Sequence, residues 1–410
     1  RRIRMGRISD LVEAARRLKR AQPNAPLHVL KSDFKAAYRS CPILPEHVSL
    51  ANILVRDPGS GELYVSAQHA MPFGAVSAVY AWDRLGDALT SIIQKVFLFP
   101  ASRYVDDLFM PLWSVHASES RQILLEVISL FGATLAPDKT PEPSRSVPVL
   151  GVLVSIRPGL VELSIEESRI EFWLGELARL RDLQGARLHH LALRMAGRLE
   201  FASAAAWGAP PRSRFNGLYH LAGGGSWDED TSGDIDWLAH LMTSSPPVRS
   251  LPLFPREGAP LILYTDASGA PRNGLGAVLI DGERVSWTSS RCPESVLQGL
   301  TPRKTQINPL EVVGVLLGLW TFAAHMEGVV LIDNQAALGA VRKGRSSVSD
   351  LNSLVFACRG LAKGCSAEPI FIWVPSELNW ADAPSRGVAP PRGDFVPPIT
   401  PWQTLRLGFS

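Results

Sequence analysis

Two sets of acidic residues stand where charge is costly to bury. Asp33 follows the apolar stretch Leu27-His28-Val29-Leu30, and Asp106-Asp107 lie between Tyr104-Val105 and Leu108-Phe109-Met110. A carboxylate in an apolar strand needs a cation beside it to offset lost hydration. Phosphoryl transfer by two hard cations about 3.5–4 Å apart asks for carboxylates from separate strands that meet at one edge. Adjacent strand residues face opposite sides, so Asp106 and Asp107 serve together only at a hairpin turn, and Asp106 with Asp33 is the principal pair expected. Taken alone, an Asp-Asp pair reads as a surface turn. The second set is Asp266 at the end of a strand, Glu311 at the opening of an apolar helix, Asp333 at the end of another strand, and Asp382 within Asn379-Trp380-Ala381-Asp382-Ala383-Pro384. Strand ends and helix starts are where distant segments converge on metals. Asp266 and Asp333 could instead be turn formers and Glu311 an acid placed by the helix dipole, but the helix it leads is too apolar for a surface one.

The elements that must position these residues follow from hydrophobic spacing. Residues 8–20 read as a basic amphipathic helix, with Leu11, Ala14, Ala15 and Leu18 on one face. Across 1–20 there are eight Arg or Lys against Asp10 and Glu13, which reads equally as a solvated face or a phosphate contact. Strand-like segments at 27–34, 48–55, 63–68, 103–110 and 149–156 alternate with helical ones at 75–95 and 117–131, a mixed α/β or α+β core. From 162 to 245 the pattern is helical (165–183, 188–206, 235–242), broken at 208–211 and 223–225, with seven Arg between 179 and 214. Five prolines in 244–260 mark a linker. Beyond it, strands at 261–265, 276–280 and 285–289, a helix at 309–324, a strand at 329–333, helices at 334–342 and 349–363 and a strand at 369–374 predict an independent β-β-β-α-β-α-α-β domain.

Composition narrows the classes. With 42 Lys plus Arg against 39 Asp plus Glu, a net +3 on 410 residues, and 46% hydrophobic content, the chain is too apolar to be disordered and long enough for two or three cores. The apolar run 312–324 reaches roughly 20 Å as a helix, short of a bilayer core near 30 Å, and reads as buried rather than membrane-spanning. Cys41, Cys292, Cys358 and Cys365 form no C-x-x-C pair, which points to an intracellular, reducing location without separating cytoplasm from nucleus. No signal peptide is visible, and the start at Arg1-Arg2-Ile3, without an initiator Met, reads as a piece of a larger protein.

In order along the chain, Asp33-Phe34-Lys35-Ala36-Ala37-Tyr38, Met71-Pro72-Phe73-Gly74, Tyr104-Val105-Asp106-Asp107, Pro137-Asp138-Lys139 and Val149-Leu150-Gly151 resemble the motifs of a reverse transcriptase palm. The resemblance implies that Asp33, Asp106 and Asp107 hold two Mg²⁺ or Mn²⁺, and that Ala36, Ala37 and Tyr38 meet the nucleotide, Tyr38 as the gate against a ribose 2′-hydroxyl. It places Phe73-Gly74 under the nascent base pair, Tyr104 beside the substrate, Lys139 facing the leaving pyrophosphate and Leu150-Gly151 at the primer grip. Tyr264-Thr265-Asp266, Asn308-Pro309-Leu310-Glu311, Ile332-Asp333-Asn334 and Ala381-Asp382 look like the acidic set of a ribonuclease H domain, again with two metals. The loop histidine usual in that family is absent, with Val374-Pro375-Ser376-Glu377-Leu378 in its place, which touches a turnover role and not the metal set. Residues 373–386 look more like DIRS-type retrotransposons and hepadnaviral polymerases than like retroviruses, and 197–202 resembles a thumb and connection segment.

The implied fold is an α+β palm with helical thumb and connection, followed by an α/β ribonuclease H-like domain. The divisions are a basic helical remnant of fingers (1–26), palm (27–160), thumb and connection (161–245), linker (246–260), nuclease domain (261–390) and tail (391–410). The family's fingers normally precede the first Asp at greater length, so the resemblance implies truncated fingers or a fragment. The implied partners are an RNA or DNA template with primer, an RNA–DNA hybrid and deoxynucleoside triphosphates, with no membrane. The implied activity is RNA-directed DNA synthesis with coupled hybrid cleavage; the alternatives are a working nuclease half alone or an inactive nucleic-acid-binding remnant.

Overall fold

A computed structural model describes residues 3, 5–207, 214–244, 248–254, 260–322, 328–346, 348–364 and 369–402. The chain divides into two compact units, Arg1–Leu163 with Ser250–Phe254, and Ser164–Arg249 with Pro255–Ser410. Parts of the expected linker (245–247 and 255–259), the helix break at 208–211, Cys365 and the tail beyond 402 lie outside the described residues.

The first unit opens with α1 (Ile8–Ala21), whose Leu11, Val12 and Ala15 are buried at helical spacing. A three-stranded sheet of order β1-β5-β4 follows from β1 (Leu27–Asp33), β4 (Ser102–Tyr104) and β5 (Asp107–Trp113). β2 (Asn52–Arg56) and β3 (Leu63–Ala67) form a separate, largely exposed hairpin. The core lies between the sheet and two helices, α2 (Val76–Lys95) and α3 (Ala117–Leu130), with Leu30, Phe34, Trp82, Leu89, Met110 and Leu124 among its members. Ala78, Trp82, Gly86, Leu89 and Ile93 are buried at steps of three or four residues, which sets the inner face of α2.

Two segments expected as single strands are hairpins. Residues 103–110 divide into β4 and β5 about Val105-Asp106, and residues 149–156 divide into β6 (Ser146–Val149) and β7 (Val152–Arg157). At the second turn Leu150 and Gly151 both have positive φ, 50° and 82°, the geometry that matches a two-residue turn to strand twist. β7 continues to β8 (Leu160–Ser164) and then to β9 (Val248–Pro252), a strand inside the proline-rich stretch where a linker was expected.

The second unit joins helices α4 (Glu167–Arg179), α5 (Gly185–Ala202), α6 (Asn216–Ala222) and α7 (Glu229–Ser244) to a six-stranded mixed sheet. Its strands β10 (Leu261–Ala267), β11 (Gly274–Asp281), β12 (Arg284–Arg291), β13 (Gly328–Ile332), β14 (Ile370–Trp373) and β15 (Asp394–Phe395) stand in the order β14-β13-β10-β11-β12-β15. β10 and β12 flank β11 antiparallel, while β13 and β14 run parallel to β10. After the short α8 (Glu294–Gln298), α9 (Ile307–Phe322) is buried nearly all round, as a helix apolar on every face must be. No described helix is long and apolar enough to cross a membrane. α10 (Gln335–Lys343), α11 (Ser349–Gly364) and the one-turn α12 (Asp382–Ser385) complete the unit. Trp237 of α7 meets Phe356 of α11 edge to face at 5.0 Å with Arg214 over both rings, which joins the helical region to a helix that follows β13. The three described cysteines are buried and free.

Candidate active sites

In the first unit the β1–β5 register sets Asp33 opposite Asp107, while Asp106 occupies the turn that joins β4 to β5. The two acids are therefore not consecutive residues of one strand, and the hairpin that lets both serve one site is present. Register alone brings Asp107, rather than Asp106, across from Asp33. Phe34 N–H donates to the Asp106 carbonyl at 2.9 Å, tying the end of β1 to the turn. Two of the three carboxylates have a lysine: Lys139 Nζ lies 3.0 Å from Asp33 Oδ2 and Lys31 Nζ lies 3.1 Å from Asp107 Oδ1. The bond to Asp33 holds the Lys139 ammonium pKa above the usual lysine value, with smaller help from Asp138 and Asp106. Burial pushes the Asp107 carboxyl up, against the attraction of Lys31. Lys31 is a residue that sequence reading missed; its signal was a lone charge inside an apolar strand.

The expected nucleotide-contacting residues fall on two loops. Ala36 is left-handed at φ 53° and starts a short turn containing Ala37 and Tyr38. Tyr38 and Phe73 meet edge to face at 5.3 Å, and Gly74 takes φ 88°. Phe73 and Tyr104 are exposed, at 68% and 44%. Leu150-Gly151 forms the β6–β7 turn.

In the second unit Asp266, the penultimate residue of β10, meets Glu311, one turn inside α9, and Asp333, just after β13. Ligand oxygens of these three lie within 4.8 Å of one another, the one such group of three or more among the described residues. Asn334 caps α10 by accepting from Ala337 N–H at 2.9 Å and donates to Asn308 Oδ1 at 2.9 Å, which fixes where β13 ends. Asp382 is not in the group of three; it opens α12 and is gripped by Arg386, with Nη2 2.8 Å and Nε 3.0 Å from Oδ1. α12 is bound down by Ser268 Oγ donating to the Ser385 carbonyl at 2.8 Å and Ser289 Oγ donating to the Pro384 carbonyl at 2.7 Å. Gly276 permits that approach, since a Cβ there would come within 2.6 Å of the Ala381 carbonyl.

Burial and mutual repulsion make the full charge of this cluster costly unless protons or a cation offset it. Burial, with the nearby Asp333 and Asp382 charges, raises the Asp266 carboxyl to about 7. Burial with Asp266 and Asp333 beside it raises Glu311 to about 10. Glu311 Oε2 is buried without a hydrogen-bond partner. An all-carboxylate set with one orphaned oxygen fits a hard divalent ion such as Mg²⁺ or Mn²⁺. Both carboxyls are held above their unfolded values, so the stability they permit is complete below the unfolded range near pH 4. In ion-free protein it is lost as pH rises through about 7 for Asp266 and about 10 for Glu311. The melting temperature in EDTA should therefore fall between about pH 5 and pH 8, and Mg²⁺ should restore more of it at the higher pH, because protons compete with metal. Circular dichroism melts at each pH check this.

Asn379 was also missed by sequence reading. Buried at 5%, it donates from Nδ2 to the Thr265 carbonyl at 3.0 Å and to Asp266 Oδ1 at 3.4 Å, while its Oδ1 accepts from Ala381 N–H. It thus orients one carboxylate and anchors the segment that carries Asp382. If the three acids hold a divalent ion, Asn379→Ala should weaken its binding about 10- to 100-fold, with Mg²⁺ as the calorimetric probe.

No family model and no curated protein matches the chain. Among solved structures, a foamy viral protease-reverse transcriptase in complex with an RNA/DNA hybrid is 12% identical over 87% of this chain and 45% of that one, at a TM-score of 0.42. The foamy viral protease-reverse transcriptase in complex with dsDNA is 13% identical over 85% of this chain and 68% of that one, also at 0.42. A third, the dRH form with ds DNA, is 12% identical over 85% and 56%, at 0.39. The chain spans less than half the length of the first of these.

Proposed function

We propose that the chain is the reverse transcriptase and ribonuclease H region of a retroelement, DIRS-like or related, which copies a primed template into DNA and cleaves the RNA strand of the resulting hybrid. The observation that carries the reading is the convergence of Asp266, Glu311 and Asp333, from two strand ends and a buried helix, on one ion-sized space with an unpartnered Glu311 oxygen. Asp382, on the segment held by Asn379 and Ser268, completes the set in this reading. Bound Mg²⁺ or Mn²⁺, two per site, would supply charge neutralisation at the phosphate and an activated hydroxyl nucleophile.

The protein's own part in synthesis is positional and electrostatic. Asp33, Asp106 and Asp107 gather at a strand end and a hairpin turn. Lys139, paired with Asp33, would face a leaving pyrophosphate in this reading and supply positive charge there. Tyr38 and Phe73, in contact, would form the wall against which the nucleotide sugar and base pair rest, with Ala36, Ala37, Gly74 and Tyr104 lining it and Leu150-Gly151 gripping the primer.

A second reading, a working nuclease alone, is favoured by one observation: lysines already neutralise Asp33 and Asp107, and the palm acids are not among the described groups with ion-sharing spacing. Purified chain given Mg²⁺ separates the two readings. The first expects both extension of a DNA primer on RNA and cutting of a preformed hybrid; the second expects only cutting. Neither product would refute both.

A further inference from the structure

The turn that carries Asp106 and Asp107 is held from beneath by groups that do none of the proposed chemistry. Its first residue, Val105, has φ 52°, a conformation that β-branched residues rarely adopt and that persists only where the surroundings enforce it. The Val105 carbonyl accepts two hydrogen bonds, from Trp82 Nε1 at 2.7 Å and from Arg103 Nη1 at 2.7 Å. Both donors are core residues, 1% and 4% exposed. Arg103 spends its other arm on α2, where Nη2 donates to Asp83 Oδ1 and Asp87 Oδ1, each at 2.8 Å. Trp82 is fixed in turn by Phe34, edge to face at 4.9 Å, the residue that follows Asp33 and donates its N–H to the Asp106 carbonyl. Gly86, one turn along α2, leaves the guanidinium its space: a Cβ there would fall 2.6 Å from Arg103 Nε and 2.7 Å from Cζ.

An ordinary surface turn requires none of this. A buried arginine with two carboxylate partners on one helix, aimed at a single strained carbonyl, is a support whose members must all be present together. We infer that Trp82 and Arg103 are positioning residues: they hold the Val105 carbonyl, and through it the turn that carries Asp106 and Asp107, against the end of β1 at Asp33, where the polymerase reading puts a divalent ion. The inference rests on the polymerase reading of the first site.

The test uses the full chain in an Asp266→Asn, Asp333→Asn background, which disables the second cluster, and reads Mn²⁺ binding by electron paramagnetic resonance. Trp82→Phe keeps a ring against Phe34 and removes only the N–H donor; Arg103→Lys keeps the charge and loses the fork. Mn²⁺ should bind about 5- to 10-fold more weakly to Trp82→Phe. In the otherwise unaltered chain the kcat of primer extension should fall by the same order, with the nucleotide KM within about twofold and hybrid cleavage unchanged. Gly86→Ala should reproduce the loss by displacing the guanidinium. Trp82→Phe with parental Mn²⁺ affinity and parental extension overturns the inference, as does a parent that binds no Mn²⁺. If Trp82→Phe weakens Mn²⁺ while neither chain extends a primer, the positioning role stands and the polymerase reading fails. Should Arg103→Lys not fold, Trp82→Phe decides alone.

Discussion

Asp333→Asn is expected to abolish cutting of an RNA–DNA hybrid, by roughly 10³-fold or more, and to leave primer extension at the parental rate. The substitution keeps the side chain's shape and removes one charge from a cluster whose oxygens lie within 4.8 Å of one another. In the proposed function, what is lost is a ligand in a set that uses its negative charge to draw hard cations into a largely buried site. The fold should survive, since Asp333 is held mainly through its backbone, where Trp373 Nε1 donates to the carbonyl at 2.9 Å. Removing a charge that raises Asp266 and Glu311 should, if anything, increase thermal stability in EDTA. A gel assay of end-labelled RNA in a hybrid, run beside an EDTA melt, checks both halves. Cleavage near the parental rate would remove Asp333 from the site.

Asp106→Asn should do the reverse, eliminating primer extension by a similar factor while hybrid cleavage continues. Asp106 sits in a two-residue turn whose backbone is tied to Phe34, so an amide of the same size keeps the turn and loses the ligand. The Lys139–Asp33 and Lys31–Asp107 pairs do not involve it, so folding should be little changed. Extension of a labelled DNA primer on RNA, with cleavage of a separate hybrid as the internal control, reads the result. Extension by Asp106→Asn at the parental rate would remove this acid from the site. Loss of both activities together would mean that the substitution had damaged the chain as a whole.

What could be read from the residues was whatever is encoded locally. β1, α2 and α9 follow from apolar runs and helical spacing, and the acidic residues of both sets stand out because each interrupts such a run. The two hairpins were hidden for different reasons. Leu150-Gly151 carries a turn signal in its glycine, whereas Val105 is a β-branched residue at positive φ that local chemistry argues against; only the buried Trp82 and Arg103 donors explain it. β9 lies in a stretch whose prolines favour a linker, and it forms because β8 offers an edge to pair with. Asn379 and Lys31 are ordinary polar residues until the fold brings Asp266 and Asp107 beside them. Long-range pairing of this kind leaves no local periodic trace. The packing of α7 on α11 through Trp237, Phe356 and Arg214 is equally non-local, and it joins two regions that composition alone separates at the prolines.

In the proposed function, two carboxylate centres on one chain make DNA and remove its template. One run-off reaction addresses it most directly: the purified chain, Mg²⁺, deoxynucleoside triphosphates and a DNA primer annealed to an RNA template, with both strands labelled. A lengthening DNA strand is expected and, in the same samples, an RNA strand shortening behind it; Asp333→Asn should lose only the shortening, whereas Asp106→Asn should lose extension and the shortening that depends on it while still cutting a preformed hybrid. An unextended primer on an intact RNA, across the full range of Mg²⁺ and Mn²⁺ concentrations, would contradict it.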